Sequence, residues 1–216
     1  MSSRSSFDPH CKRCHRLAEF LTEVKAEHPD YHCAPVAPFG DAKAPLLIVG
    51  LAPGKHGANA SGRPFTGDFA GILLYETLHQ FGFASIPESR SADDDLKLKN
   101  CRITNAVKCL PPGNKPTTEE IRSCNVFLKA EIDASCQSGP LLIVALGAIA
   151  HNAVLSALGK VRSRYPFGHG HEHRLETGIT LLDSYHCSRY NTQTRRLTQE
   201  MFHAVFQRAR HWLETV

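Results

Sequence analysis

Three polar side chains end or follow apolar runs of the sequence: Asp68, Asn105 and His186. A carboxylate can stabilise a developing positive charge, and an imidazole can donate a hydrogen bond to a developing negative one. A carboxamide can match the Watson–Crick edge of a pyrimidine, because its NH2 group donates and its oxygen accepts. A turn or cap role is the simpler alternative for Asp68 and Asn105, so their residue types alone do not decide the function.

Cysteines form a second set of candidates. Cys11-x-x-Cys14 runs into an apolar helical pattern, whereas Cys109 and Cys124 bracket the stretch CLPPGNKPTTEEIRSC. A Thr-x-x-Glu capping box at 117–120 predicts that Cys124 lies on the second turn of a helix and Cys109 in the loop before it. The two pairs could bring four thiolates to one site. A redox pair or unrelated cysteines are alternatives, and the unequal spacing fits poorly with a zinc ribbon.

The strands and helices that must position these residues follow from hydrophobic periodicity. Strand patterns occur at 46–49, 101–107, 141–147 and 178–186, and the uniformly apolar run at 141–147 indicates a buried parallel strand. Helical patterns occupy the intervals between them, including a helix from Gly71 to Gly82 and another over Ala148–Leu158. The alternation predicts one α/β domain over residues 1–216, a three-layer α/β/α sandwich on a four-stranded parallel sheet. The candidate residues then meet at the carboxyl ends of the strands, where open α/β sheets bind ligands.

Composition sets the broad class of protein. The 216 residues are 42% hydrophobic and 21% charged, an ordinary globular balance, and the net charge of +4 permits a polyanionic partner without demanding one. No apolar run reaches membrane length, and the first ten residues have no apolar signal core. We therefore expect a cytoplasmic protein with no membrane partner. In that reducing setting the eight cysteines favour metal or cluster ligation over disulfides.

The glycine-rich segment that follows the first strand carries a family resemblance. Glycines after a strand let the backbone approach a ligand and present N–H groups to it, although neither a P-loop nor a dinucleotide fingerprint is present. The segment GLAPGKHGANASGRPFTGD closely resembles the first motif of the uracil-DNA glycosylase superfamily, and specifically of its class b, or family five. Other branches place an acidic residue just after the first motif glycine. Here Leu51 and Ala52 occupy those positions, and a carboxylate appears later, at Asp68.

Two further segments extend the resemblance over almost the whole chain. Asn105, in TNAVKC, resembles the second landmark of the superfamily, and HCSRYNTQTRRLT resembles its last motif, a histidine-led loop that enters DNA. The usual residue after this histidine is proline, and here it is Cys187. That change leaves an extra backbone N–H and predicts a less rigid loop.

The cysteine spacing C-x2-C…C-x14-C resembles the cluster signature of the iron–sulfur glycosylases of families four and five. The resemblance implies a [4Fe–4S] cluster with a structural role, and zinc or no metal remain the alternatives. Its implied ligands are Cys11, Cys14, Cys109 and Cys124.

The resemblance implies a monofunctional DNA repair glycosylase of base excision repair. Such an enzyme rotates uracil out of double-stranded DNA and hydrolyses the N-glycosidic bond, leaving an abasic site. Hypoxanthine, xanthine or other damaged bases are further substrates that class b resemblance implies. We expect the enzyme to act as a monomer.

The resemblance also implies roles for individual residues. Uracil would stack on Phe65 and meet Asn105, while His186 would donate a hydrogen bond to its O2 atom. Asp68 would stabilise the sugar cation or orient water. The backbone around the base would come from Gly50, Ala52 and Gly54. The loop that enters the DNA would contribute Ser188, Arg189, Tyr190, Asn191 and Gln193, with Arg189 and Tyr190 as candidate wedge residues.

Two alternatives remain open. A non-catalytic iron–sulfur module that binds nucleic acid or carries electrons would explain the cysteines and the basic balance. It would not explain Phe65, Asn105 and His186 at three separate strand ends. The basic loop at 159–178 contains the sequence HGHEH. That loop could bind a metal, contact phosphates or be an ordinary surface loop, and no further metal ligands for it are apparent in the sequence.

Overall fold

A central sheet carries the candidate residues in the computed structural model, which describes residues 7–175 and 178–216. Its six strands have the order β1-β3-β2-β4-β6-β5. The four inner strands are parallel, and the outer strands β1 and β5 pair antiparallel with β3 and β6. The strands are β1 (Phe39–Gly40), β2 (Leu46–Gly50), β3 (Cys101–Asn105), β4 (Leu141–Leu146), β5 (Glu172–Arg174) and β6 (Ile179–Ser184).

The prediction of a four-stranded sheet is wrong in its strand count, although the four predicted strands are present and parallel. The two additional strands are only two and three residues long. One lies in the segment before the first predicted strand, and the other lies in the histidine-rich loop at 159–178, where no strand was predicted. Such short edge strands show no repeated apolar alternation, so the sequence pattern does not reveal them.

Seven α-helices accompany the sheet in the described residues. The one after the glycine-rich segment begins at Phe69, two residues earlier than predicted, because Asp68 provides its N-cap. The seven helices are α1 (His15–Glu27), α2 (Ala58–Ser61), α3 (Phe69–Gln80), α4 (Thr118–Cys136), α5 (Ala148–Ala157), α6 (Arg189–Gln193) and α7 (Gln199–Thr215).

Helices cover both faces of the sheet, as the sandwich prediction requires. Successive strand residues point to opposite faces, so Ile48 and Leu47 of β2 enter different cores. The first core packs strand residues against α3 and α7, through side chains such as Leu74 and Phe202. The second packs them against α4 and α5, through side chains such as Ile132.

The N-terminal helix α1 is attached outside these layers. Its buried residues Leu17, Leu21 and Val24 enter two smaller clusters that also contain cysteines. Arg16 of α1 donates two hydrogen bonds of 2.7 Å to the carboxylate of Glu120 on α4. Glu120 also forms a capping box with Thr117, so the predicted capping box is confirmed. In the described ranges, 7–175 and 178–216, no helix has the length and apolarity needed to cross a membrane.

Candidate active site

A cleft of about 450 Å³ opens at the carboxyl ends of β2, β3, β4 and β6. Most of the residues predicted for the site line it, together with residues from the end of β4. The lining includes Leu51, Ala52, Gly54, Phe65, Asp68, Asn105, Leu146, Gly147, His186, Ser188 and Arg189. The parallel register of the sheet thus brings together segments more than one hundred residues apart in the sequence.

Asn105 occupies the floor of the cleft beside Gly50. The two residues are paired in the register of β2 and β3, and the N–H of Ala106 donates to the carbonyl of Gly50 at 2.9 Å. Asn105 is only 4% exposed, and its Oδ1 atom is buried with no hydrogen-bond partner in the described part of the chain. An unpaired buried acceptor costs about 1–3 kcal/mol. A ligand donor would relieve that cost.

Phe65 packs over Gly50 and has an unusual backbone conformation. Its φ angle is +56°, which bulky residues rarely adopt. A Cβ atom on Gly71 would lie 1.8 Å from the carbonyl oxygen of Phe65, so the first turn of α3 closes directly on this strained residue. Phe65 and His186 stack with ring centroids 6.1 Å apart and planes inclined by 28°. The cleft therefore presents an aromatic face and an imidazole side by side.

His186 lines the cleft, and no charged side chain among residues 7–175 and 178–216 is paired with it. Burial lowers the pKa of its imidazole to about 4, so the ring is neutral at neutral pH. Its Nδ1 atom is buried and has no hydrogen-bond partner among the described residues. The side-chain NH2 of Asn191 donates to the carbonyl of His186 at 2.8 Å and fixes the backbone from which the ring projects.

Asp68 is the N-cap of α3, which is the simpler of the two roles that its residue type allows. Its Oδ1 atom accepts a hydrogen bond from the N–H of Gly71 at 2.9 Å and caps α3. Its other oxygen, Oδ2, points toward the backbone of the glycine-rich loop, since a Cβ on Gly57 would lie 2.7 Å from it. Burial raises the pKa of the carboxyl, while the N–H groups of Gly71 and Ala70 act in the opposite direction. A cap role for one oxygen leaves the other able to act in the cleft.

The predicted DNA loop is partly helical, because Ser188 caps the short helix α6 by accepting from the N–H of Asn191. Ser188 and Arg189 line the cleft, and the guanidinium of Arg189 lies 5.0 Å from the centre of the Phe69 ring. Tyr190 points outward and is 70% exposed. Gln193 is also exposed, whereas Asn191 turns inward toward His186.

Cys187 is anchored rather than loose. The residue is fully buried, and its thiol donates to the carbonyl of Ala70 on α3 at 3.4 Å. A side chain at this position therefore ties the strand end to the first turn of α3. The prediction that loss of proline makes this loop less rigid is opposed by that contact.

The four predicted metal ligands gather around one small apolar cavity. Its walls include the cysteine side chains and Leu17, Val107 and Phe127. Burial raises the pKa of Cys109 to about 12 and that of Cys124 to about 11, and neighbouring thiols add to the rise for Cys109. The backbone N–H of Lys108 donates to Cys124 Sγ at 3.3 Å.

These sulfur atoms are not grouped closely enough for a single tetrahedral ion. Among the described residues, no three of the cysteine sulfurs lie mutually within 4.8 Å. Tetrahedral zinc with Zn–S bonds of about 2.3 Å requires sulfurs about 3.8 Å apart. Four thiols around an apolar cavity, with a backbone N–H already aimed at one sulfur, fit an iron–sulfur cluster.

A second polar cluster joins the histidine-rich loop to the sheet. His173 of HGHEH meets His151 of α5 and Asp183 of β6. Neither His151 nor Asp183 was predicted as a site residue. The signal for Asp183 was an acidic residue inside the otherwise apolar strand run TLLDS, whereas nothing marked His151 among helical residues.

The sheet topology and the cleft at its carboxyl edge define an open α/β sandwich of the kind that binds ligands at strand ends. A profile described as "Uracil DNA glycosylase superfamily" matches residues 37–210, and the chain belongs to this superfamily.

Curated relatives agree with that assignment. The chain is 45% identical to the type-5 uracil-DNA glycosylase of Thermus thermophilus, over 93% of this chain and 92% of the relative. Identity to the type-5 enzyme of Pyrobaculum aerophilum is 41%, over 92% of this chain and 87% of the relative. The type-5 uracil-DNA glycosylase of Mycobacterium leprae is also 41% identical, over 93% of this chain and 90% of the relative.

Proposed function

We propose that this protein is a uracil-DNA glycosylase of the type-5 kind, which removes uracil from double-stranded DNA by hydrolysing the N-glycosidic bond. The observation that carries the proposal is the unpaired, buried Oδ1 atom of Asn105 at the floor of a cleft that Phe65 walls. The relatives named type-5 uracil-DNA glycosylase, similar over nearly their whole length, support the same substrate.

Access to the base requires that the nucleotide leave the duplex, at a cost of a few kcal/mol. The short helix α6 beside the cleft is suited to fill the gap. Tyr190 projects into solvent from its first turn, and Arg189 stands at the rim against the ring of Phe69. We assign Tyr190 as the wedge and Arg189 as a contact to the DNA backbone beside the extruded nucleotide. Ser188 caps this helix, and Asn191 and Gln193 lie within it.

Recognition of uracil follows from the carboxamide of Asn105. Its Oδ1 accepts from N3–H of uracil and its NH2 group donates to O4, while the base stacks on Phe65. Cytosine presents the opposite pattern at these two atoms, an acceptor at N3 and a donor at N4, and is rejected. The main chain of Ala52 and Gly54 lines the cleft close to the base, and Gly50 leaves room for the two side chains above it.

Cleavage of the C1′–N1 bond places positive charge on the sugar and negative charge on the base. His186, neutral at physiological pH, donates a hydrogen bond to O2 of uracil as that charge develops. A single preorganised donor of this kind contributes about 3–4 kcal/mol. Asp68 faces the sugar with the oxygen that is not used as a cap. It stabilises the cation or orients the water whose oxygen bonds to C1′.

The four cysteines would hold a [4Fe–4S] cluster, which supplies a cross-link between α1, the segment after β3 and α4. The pair Arg16–Glu120 joins the same two helices independently of the cysteines. Because Lys108 bonds both Cys124 Sγ and the carbonyl of Asn105, the cysteine site supports the segment that presents the carboxamide. The enzyme would act as a monomer in the cytoplasm. Hypoxanthine and xanthine are further substrates that we propose for it.

The experiment is single-turnover excision from a uracil-containing duplex, read after alkaline cleavage of abasic sites. Asn105→Asp replaces the donor that faces O4 with an acceptor. Excision is expected to fall by at least about one hundredfold, as for the loss of one well-placed donor, with duplex binding largely retained because phosphate contacts dominate affinity.

Asn152→Asp, a change of the same kind on α5 outside the cleft, serves as the matched control and is expected to keep wild-type excision. Equal loss of excision and of folding in Asn105→Asp would assign the residue a structural role. A wild-type protein that binds DNA without excising uracil would instead support the non-catalytic iron–sulfur module.

A further inference from the structure

A buried histidine–aspartate–histidine triad lies on the α5 side of the sheet, outside the cleft. His151 comes from α5, Asp183 from β6 and His173 from the edge strand β5. The side chains of His151 and Asp183 are 1% and 0% exposed, and that of His173 is 10% exposed. The ligand atoms of the three residues all lie within 4.8 Å of one another.

Both ring nitrogens of His151 lie against oxygen atoms. Its Nε2 lies 2.9 Å from the carbonyl oxygen of Tyr165, and its Nδ1 lies 2.7 Å from Oδ1 of Asp183. A carbonyl can only accept, so Nε2 carries the proton that bonds to Tyr165. A neutral imidazole has one N–H, so Nδ1 then keeps a lone pair, with which it can bind a metal ion.

The remaining contacts of Asp183 complete a set of nitrogen and oxygen donors. Its Oδ2 lies 3.3 Å from Nε2 of His173 and accepts from the N–H of Gly168, also at 3.3 Å. Two ligands bound to one zinc ion at about 2.05 Å lie about 3.3 Å apart in a tetrahedral arrangement. Nε2 of His173 already has this spacing from Oδ2, whereas Nδ1 of His151 lies closer to the other oxygen, Oδ1, and must move away by a few tenths of an ångström. One ion between the two rings would therefore meet both carboxylate oxygens.

We propose that the triad is a metal site, which takes zinc or a similar borderline divalent ion between Nδ1 of His151, Nε2 of His173 and the carboxylate of Asp183. Two imidazole nitrogens and a carboxylate are a donor set that zinc accepts. The metal would bind the lone pair of Nδ1 of His151, while Nε2 keeps its proton and its hydrogen bond to Tyr165. A solvent molecule would complete the coordination on the partly exposed side of His173.

Occupancy would strengthen one edge of the fold. The ion would link α5, β5 and β6, and β5 is held to the sheet by only three residues. The ring of Phe167 contacts both the His151 ring and the ring of Tyr185, which precedes His186. We therefore expect a gain in stability next to the catalytic histidine, with no direct part in the chemistry.

The test is calorimetric titration of the purified 216-residue protein with zinc chloride, with X-ray absorption of the bound zinc. The expected result is one zinc with a shell of nitrogen and oxygen. His173→Asn should weaken binding by at least about tenfold. His211→Asn, which removes an exposed imidazole from α7, should not.

Three outcomes would overturn the site. A shell dominated by sulfur would place the zinc at the cysteines. Equal affinity in wild type, His173→Asn and His211→Asn would show that the triad is not the ligand set, and no binding by the wild type would show that the triad is only a hydrogen-bonded network. The nitrogen and oxygen shell is measured on the wild type, so it holds even if His173→Asn folds poorly.

Discussion

The side chains of Asn105 and Phe65 meet over the bare Cα of Gly50. A Cβ atom at Gly50 would lie 2.4 Å from Oδ1 of Asn105 and 2.6 Å from Cζ of Phe65. Both distances are far below van der Waals contact, so any side chain at position 50 must displace one or both partners. The glycine that ends β2 therefore sets the position of a carboxamide and of an aromatic ring at the same time.

Gly50→Ala tests this relationship. We expect the single-turnover rate of uracil excision to fall by at least about tenfold, because a displacement of about 1 Å in a preorganised site has such effects. The melting temperature should fall as well, since the overlap strains the end of β2. The measurement is excision under enzyme excess together with thermal unfolding.

A double-mutant cycle with Asn105→Ala separates a local effect from general damage. If Gly50→Ala acts by displacing the carboxamide, its effect on rate should largely disappear when Asn105 is already alanine. Additive losses in rate would mean that position 50 acts through something other than Asn105.

The sequence predicts the parallel part of the sheet well because that part is local in origin. Runs such as LLIV and LLIVAL are apolar at every position, as strands covered on both faces must be. The capping box at Thr117 and Glu120 is similarly a contact between near neighbours in the chain. Since parallel strands end at a common edge, the candidate residues in the cleft also follow from the order of the strands.

Other features depend on contacts that no local pattern contains. The edge strands β1 and β5 exist because neighbouring strands offer free backbone groups, and their own residues show little preference for a strand. His151 and Asp183 are 32 residues apart and meet only in the folded chain. Asp68 shows a further limit, because the sequence permits both a cap and a catalytic group, and the structure gives its two oxygens different surroundings.

The cysteine cavity predicts the colour of the protein. Purified enzyme should be brown, with absorbance at about 400 nm, as expected for thiolate-bound iron–sulfur clusters. Serine at any one of Cys11, Cys14, Cys109 or Cys124 should reduce that absorbance relative to protein. Cys136→Ser is the control, because Cys136 lies at the end of the same helix as Cys124 and outside the cavity. Colourless wild-type protein with stoichiometric zinc on sulfur would contradict the cluster.

The lowered pKa of His186 predicts a pH dependence of stability. In the unfolded chain the imidazole takes up a proton near pH 6.5, whereas in the folded protein it does so only near pH 4. Between these values the unfolded state binds more protons than the folded state. The contribution of His186 to the free energy of unfolding therefore rises as the pH increases from 4 to 6.5, and it is constant above pH 6.5. The measurement is the free energy of unfolding of wild type against pH, compared with His186→Gln, whose side chain does not titrate.

The comparison isolates one group, since the other titrating residues are common to both proteins. The stability of wild type relative to His186→Gln should grow between pH 4 and 6.5. A difference that stays constant through this window would mean that His186 titrates at its ordinary pKa. Excision by the wild type should show no loss from protonation of His186 until the pH approaches 4, because the neutral ring is the donor.

The two oxygens of Asp68 allow its cap role to be separated from its charge. Asn is as good an N-cap as Asp, so Asp68→Asn should keep the hydrogen bond from Gly71 and nearly all of the stability, whereas Asp68→Ala should lose about 1 kcal/mol.

Both variants remove the negative charge that we place against the sugar cation. If that charge acts in the transition state, both should lower the single-turnover rate, while binding to abasic DNA changes little. Hypoxanthine leaves more readily when protonated, so its excision should depend less on His186 but equally on Asp68, since the sugar charge is common to both substrates. An Asp68→Asn enzyme with wild-type rates on uracil and hypoxanthine would leave Asp68 only its cap of α3.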